Sequence, residues 1–108
     1  MNNSTGYKDQ RLASRTNSEL PTRINIGTQL TFQGRLKDLS LKSAFIKVKE
    51  SVFLQPSDEI GFAIQCSVDN CIEGMARVSR IVAGEGFAVY FTKIDESSMS
   101  RLRQLVGA

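Results

Sequence analysis

The sequence contains no histidine and only two cysteines, Cys66 and Cys71. Structural zinc is usually held by four Cys or His ligands, so one copy of the chain cannot build such a site. Histidine is also the commonest general base and the usual activator of a cysteine nucleophile. The carboxylates are scattered along the chain and form no acid/base pair. We therefore predict that the protein is not an enzyme and holds no metal or cofactor.

Long apolar runs are also absent from the sequence. Crossing a bilayer takes about 20 consecutive apolar residues, so we predict no membrane insertion. Residues 1–6 are polar and lack the charged-then-apolar order of a secretory signal, which predicts a cytoplasmic chain with reduced thiols. A length of 108 residues and a hydrophobic fraction of 41% suffice for one compact core.

The charge balance is mildly basic, with 14 Lys and Arg residues against 11 Asp and Glu residues and a net charge of +3. Such an excess suits an anionic ligand, but charge alone is better explained by an ordinary solvated surface. Residues 1–18 are almost entirely polar and cannot bury much surface, so we predict a flexible N-terminal arm. Pro21 then restricts Leu20 to extended backbone and marks the entry into a folded domain over residues 19–108.

Apolar and polar residues alternate with a period of two over most of that domain, which indicates half-buried strands. The inward positions are Ile24 and Ile26; Leu30, Phe32, Gly34 and Leu36; Ala44, Ile46 and Val48; Ile60, Phe62, Ile64, Cys66 and Val68; Ile72, Gly74, Ala76 and Val78; and Phe87, Val89 and Phe91. About six short strands result, with turns at Asp69-Asn70 and at residues 84–86. Because no room is left for crossover helices, the sheet must be antiparallel, and a closed barrel is the simplest arrangement.

The last segment has helical spacing instead, with apolar residues three or four apart at Met99, Leu102, Leu105 and Val106. Asp95 is placed to cap the start of this helix, and Gly107 is placed to end it. The predicted fold class is therefore all-β with a C-terminal helix.

Arg11 and Arg15 form an RxxxR spacing in the arm. Side chains four residues apart lie on one side of a helix and also of an extended strand, so both guanidinium groups can converge on one ligand. Arginine suits phosphate because its planar fork donates two parallel hydrogen bonds, and its flat face stacks on a purine. Solvated arginines are common in polar segments, so the pair alone does not identify a site.

Asp38, Ser40 and Ser43 form a second cluster directly after the strand that ends at Leu36. Asp38 and Ser40 share the parity of Leu36, and we expect them at the rim of the barrel. A carboxylate can accept from the two donors on the Watson-Crick edge of guanine, and a hydroxyl can donate or accept. Asp and Ser also form ordinary turns at strand ends, so a purely structural turn stays open as an alternative to a guanine-binding site.

The order of these motifs resembles that of the PilZ domain family. RxxxR is followed by residues 20–24 leading into the first strand, then by the DxSxxS segment of residues 38–43 with Ala44-Phe45 after it. Residues 86–91 resemble the family's closing GxxF segment. The resemblance covers almost the whole chain, and it implies a six-stranded antiparallel β-barrel with a C-terminal helix that binds cyclic di-GMP in bacteria.

The resemblance also implies a role for each site residue. Arg11 and Arg15 would hold phosphates and stack on or bond the guanines, while Asp38 and Ser40 would read a guanine edge. Ser43 departs from the family, because it replaces the glycine of the DxSxxG motif and its β-carbon could crowd a base; we expect weakened binding. Gln10 stands where many members have another arginine, which leaves the number of bound nucleotides open.

We accordingly predict a cyclic di-GMP receptor whose arm is ordered by the ligand and relays the signal to an unidentified protein partner, as a monomer or weak dimer. The alternative is a PilZ-like adaptor that does not bind nucleotide, and Ser43 favours it. A barrel for single-stranded nucleic acid would need exposed rings for base stacking. Four of the eight aromatic residues have inward parity, which leaves chiefly Phe45, Phe53 and Tyr90 as candidates for stacking, so we expect no nucleic acid polymer as partner.

Overall fold

The computed structural model describes residues 19–28, 30–48 and 54–107. These residues form six β-strands followed by one α-helix. In chain order the elements are β1 (Pro21–Ile26), β2 (Leu30–Leu39), β3 (Ser43–Lys47), β4 (Glu59–Gln65), β5 (Cys71–Val82), β6 (Gly86–Ile94) and α1 (Glu96–Val106).

The six strands close into an antiparallel barrel with the order β1-β2-β3-β6-β5-β4. β4 returns to β1 and completes the ring, with Phe62 opposite Ile24. β3 pairs with β6 rather than with β4, the next strand along the chain, and Ile46 lies opposite Phe87 there. The predicted fold, a six-stranded antiparallel barrel with a C-terminal helix, is confirmed.

Most of the inward side chains fill the barrel as their period of two predicts, whereas Leu30, also predicted to point inward, is 45% exposed. Phe87, Ile24 and Ile60 are fully buried, and Phe62 stacks on Phe91 with ring centroids 5.1 Å apart. Burying each large apolar side chain contributes about 1.5–3 kcal/mol relative to leaving it exposed. The interior of the barrel is therefore a packed core, so a ligand has to bind on the outside.

The end of β4 differs from the sequence prediction. β4 stops at Gln65, and the backbone N–H groups of Cys66 and Ser67 both donate to the carbonyl of Asn70. These bonds begin the turn of the hairpin at Cys66, whereas the alternation predicted a strand that continues to Val68. Val68, predicted to point inward, therefore lies in the turn with 94% of its surface exposed.

α1 is capped at both ends by the predicted residues. The Asp95 side chain accepts from the Ser98 backbone N–H at 2.8 Å, and Gly107 ends the helix in the left-handed conformation. Leu102 is fully buried, and the Ser98 hydroxyl accepts from the Glu73 backbone N–H at 3.1 Å. The helix is thus fixed against β5 at one end of the barrel. Within the described ranges, no helix has the length and apolar character needed to span a membrane.

The helix cap predicts that the stability of the domain depends on pH through titration of the Asp95 carboxylate. The hydrogen bond from the Ser98 backbone N–H, helped by the Ser97 hydroxyl, holds the pKa of Asp95 below its ordinary value. A carboxylate with a lowered pKa stabilises the folded state above the unfolded pKa of about 3.9, and the contribution is lost as pH falls through the folded value. Asparagine caps helices but does not titrate.

We therefore expect the difference in thermal midpoint between the wild type and Asp95→Asn to be constant above about pH 5 and to shrink toward pH 2. Thermal unfolding followed by far-ultraviolet circular dichroism in a pH series measures this difference. A difference that stays constant down to pH 2 would show that the cap does not lower the pKa of Asp95.

Candidate functional site

A β-bulge in β2 determines where Asp38 lies. Leu36 is opposite Ile46, whereas Asp38 is opposite Phe45, so one extra residue stands on β2 at Lys37. The bulge reverses the parity, and Leu39 rather than Asp38 packs toward the core. Asp38 therefore does not lie on the inward side, although it shares the parity of Leu36 in the sequence. Asp38 lies exposed on the outer face, beside Phe45.

Ser40 and Ser43 hold the turn between β2 and β3. The Ser40 backbone N–H donates to the Ser43 carbonyl at 2.9 Å. The Ser40 Oγ accepts from the backbone N–H groups of Lys42 at 3.2 Å and Ser43 at 3.1 Å. The two hydroxyl oxygens are 3.0 Å apart. Ser40 thus forms the turn that its residue type also predicted, and it presents Ser43 beside Asp38.

These three residues line a groove of about 370 Å³ on the outer face of β2, β3, β6 and β5. We call this face the outer wall. The residues that line the groove are Asp38, Leu39, Ser40, Ser43, Ala44, Phe45, Ser79, Arg80, Ala88, Val89 and Tyr90. The groove therefore brings together every predicted site residue that the structure describes.

Phe45 and Tyr90 form the aromatic part of the groove. Phe45 is on the outer face but is only 8% exposed, whereas Tyr90, opposite Ser43, is 45% exposed. The Lys37 ammonium lies 5.4 Å and the Arg80 guanidinium 5.9 Å from the centre of the Phe45 ring. Cations at this distance are attracted to the face of an aromatic ring. The groove thus offers hydroxyls, a carboxylate, aromatic surface and positive charge.

The chain enters the barrel next to this wall. Glu19 has a left-handed backbone, its carbonyl accepts from Arg35 at 3.4 Å, and its carboxylate lies 3.5 Å from the Lys47 ammonium. Arg35 and Lys47 are opposite each other on β2 and β3. Arg11 and Arg15 lie outside the described residues, as does the whole predicted arm of residues 1–18.

A scan against protein-family models matches the PilZ domain over residues 9–108. The chain belongs to the PilZ domain family. This match confirms the resemblance drawn from the sequence motifs, and it includes both arginines of the RxxxR spacing. No curated protein sequence matches the chain.

Solved structures share the fold of this PilZ domain. The Inhibitor of motility (MotI/DgrA) from Bacillus subtilis has a TM-score of 0.71 and 16% identity, over 90% of this chain and 51% of that one. K. pneumonia MrkH has a TM-score of 0.73 and 12% identity, over 95% and 49%. The PilZ domain of CeSA from a cellulose-synthesizing bacterium has a TM-score of 0.62 and 17% identity, over 82% and 89%. The chain thus spans about half of MotI and MrkH.

Ser43 occupies the position of the family glycine without backbone strain in this PilZ domain. Among the described residues other than glycine, positive φ angles occur at Glu19 and Ser57, so Ser43 has ordinary L-residue geometry. It begins β3 and pairs with Tyr90. A side chain is therefore compatible with the fold at this position, and its effect on a ligand depends on the space that the Cβ and hydroxyl occupy.

The two free thiols lie at the hairpin between β4 and β5, away from the groove. Cys66 packs partly against the core, and burial raises its pKa. Cys71 is on the outward side, where its thiol donates to the Glu73 carboxylate at 3.0 Å and this bond raises its pKa. Thiols with raised pKa values are poor nucleophiles. Within the described ranges, no group of three Cys, Asp or Glu side chains could hold a metal ion.

Proposed function

We propose that this PilZ domain is a bacterial cyclic di-GMP receptor that binds the dinucleotide in the groove and relays the signal to a protein partner, without catalysis. The observation that carries the proposal is the groove itself, where the DxSxxS segment meets aromatic surface and a guanidinium. Its volume of about 370 Å³ lies within the range of small-molecule sites, about 300–1,000 Å³. Family membership supports a role related to cyclic di-GMP.

Asp38 has the chemistry to read a guanine. Its exposed carboxylate can accept from N1–H and from the exocyclic amine of the base, and the bulge holds it on the outer wall. The Ser40 oxygen already accepts from two backbone donors, so we assign Ser40 the role of shaping the rim. Ser43 then presents its hydroxyl to the ligand next to Asp38.

The arm would supply the phosphate contacts in this proposal. Arg15 is four residues before Glu19, so the two Cα atoms are at most about 14 Å apart. Because Glu19 contacts Arg35 and Lys47 on the outer wall, the groove is within reach of the Arg15 guanidinium. Ligand binding would then fix the arm relative to the barrel and change the surface that a partner meets.

Isothermal titration calorimetry with cyclic di-GMP tests the proposal. We expect the wild-type chain to bind and Asp38→Ala to bind at least about tenfold more weakly, because a hydrogen bond to a charged group contributes about 1.5–3 kcal/mol. Asp69→Ala is the matched control, since it removes one exposed carboxylate in the hairpin between β4 and β5, away from the groove. Equal affinity of Asp38→Ala and Asp69→Ala would contradict the role of Asp38.

The alternative function is an adaptor that works through protein contacts alone. Ser43 favours it, because its hydroxyl lies in the groove, 3.0 Å from the Ser40 hydroxyl, at the position where the family motif has glycine. A wild-type titration that shows no binding heat with cyclic di-GMP would support the adaptor function and contradict the receptor function. Ser43→Gly is then the informative variant, since restored binding would identify the side chain as the cause.

A further inference from the structure

Arg80 reaches the outer wall only because β5 contains a bulge. Val78 is opposite Val89 and Arg80 is opposite Ala88, so Ser79 is the extra residue. Without the bulge, strict alternation from the buried Val78 would turn Arg80 into the core. Bulges that redirect a side chain are common beside functional sites. The bulge in β2 does the same for Asp38, so two independent irregularities direct charged side chains to one groove.

The arrangement of the wall places Asp38 and Arg80 three strands apart. Asp38, Phe45, Ala88 and Arg80 form one row across β2, β3, β6 and β5. Three strand spacings of about 4.8 Å place the Asp38 and Arg80 backbones about 14 Å apart. A carboxylate at one side and a guanidinium at the other, with Phe45 between them, match a ligand that carries a base edge and an anionic group.

Phe45 holds Arg80 in a way that leaves its donors available. The guanidinium lies 5.9 Å from the centre of the ring, and Phe45 is buried although it is not part of the core cluster. A contact with the ring is electrostatic and uses none of the five N–H donors. Arg77, in contrast, donates to the Ser57 carbonyl at 2.9 Å.

We propose that Arg80 is a phosphate-binding residue of the groove, supplied by the barrel and independent of the arm. The inference rests on the proposed function, because it takes the groove as the nucleotide site. Arg80 would donate a charge-assisted fork to a phosphate of the dinucleotide while Asp38 holds a guanine. Phe45 is its positioning residue.

Calorimetry with cyclic di-GMP on the wild type and three variants tests the inference. We expect Arg80→Ala to weaken binding at least about tenfold, and Arg80→Lys to lie between it and the wild type because lysine keeps the charge but loses the planar fork. Arg23→Ala is the control: it removes the same charge from an exposed position on β1, outside the groove, and should change affinity by less than about twofold. Thermal unfolding of each variant separates loss of binding from loss of folding.

A second measurement keeps the inference separate from the proposed function. The NMR signal of the Arg80 side-chain Nε–H, assigned by its loss in Arg80→Lys, should shift on addition of cyclic di-GMP and of millimolar inorganic phosphate. If cyclic di-GMP does not bind the wild type, the proposed function fails, and a phosphate-induced shift at Arg80 still supports the inference. The inference is overturned by an Arg80 signal that moves with neither anion, or by equal affinities of Arg80→Ala and Arg23→Ala.

Discussion

Replacing both Arg11 and Arg15 by alanine is expected to lower the affinity for cyclic di-GMP by about a hundredfold or more. Each guanidinium is proposed to donate charge-assisted hydrogen bonds to a phosphate, and each such interaction contributes about 1.5–3 kcal/mol. Two lost contacts amount to at least about 3 kcal/mol, and a tenfold change in affinity corresponds to about 1.4 kcal/mol. Calorimetric titration of the double variant against the wild type measures the effect.

The matched control for the arm is a double variant of Arg23 and Arg103 to alanine. Both residues are exposed and lie outside the groove, so the control removes the same net charge from β1 and α1. We expect it to bind within about threefold of the wild type, since screened charges act weakly over such distances. If the arm variant lost no more affinity than this control, the arm would contribute only diffuse charge, and the RxxxR spacing would have no specific role.

Gly86→Ala is expected to destabilise the barrel by about 3 kcal/mol or more. A Cβ on Gly86 would overlap the Ile46 carbonyl oxygen and would lie 2.9 Å from the Lys47 Cα. Both atoms belong to the backbone of β3, which pairs with Gly86, so relief requires the two strands to separate. Overpacking a core typically costs about 1–3 kcal/mol, and here the obstacle is backbone rather than a side chain that could move. Domains of this size are stable by only about 5–15 kcal/mol.

Gly84→Ala is the control for this substitution, because it lies in the same turn. Gly84 has a φ of 78°, and a Cβ at this position would have no neighbour within 4 Å among the residues that the structure describes. The substitution should therefore cost only the left-handed backbone penalty, about 1–2 kcal/mol. Urea unfolding followed by circular dichroism compares the two variants. Equal stabilities would indicate that β3 and β6 can move apart at Gly86 at little cost.

The strands and the core could be predicted from the sequence because one physical rule decides them. Inward and outward side chains alternate, so residues such as Ile24, Ile64 and Val89 identify the buried side without knowledge of the fold. The helix was equally accessible, since Asp95 and Gly107 are cap residues with a local mechanism. The strand order, with β3 beside β6, depends on contacts between distant segments that alternation does not encode.

The site was less predictable because it depends on exceptions to alternation. Asp38 and Arg80 both have inward parity in the sequence, and each faces outward because of a bulge. Asp38 was found because it lies in a polar cluster after β2 that also matches the family motif, but Arg80 belongs to no motif and was missed. The one available signal was an arginine at a position that alternation assigns to the core. An unpaired charge is rarely buried, so such a conflict indicates an irregular strand.

Closure of the barrel restricts how a protein partner can recognise the described part of the chain. An open sheet offers a row of unpaired backbone donors and acceptors, onto which a partner can add a strand. Each of the six described strands instead pairs on both sides, β1 with β4 included. A partner of this region must therefore distinguish side chains and surface shape, so point substitutions on the outside of the barrel should suffice to separate partner recognition from folding.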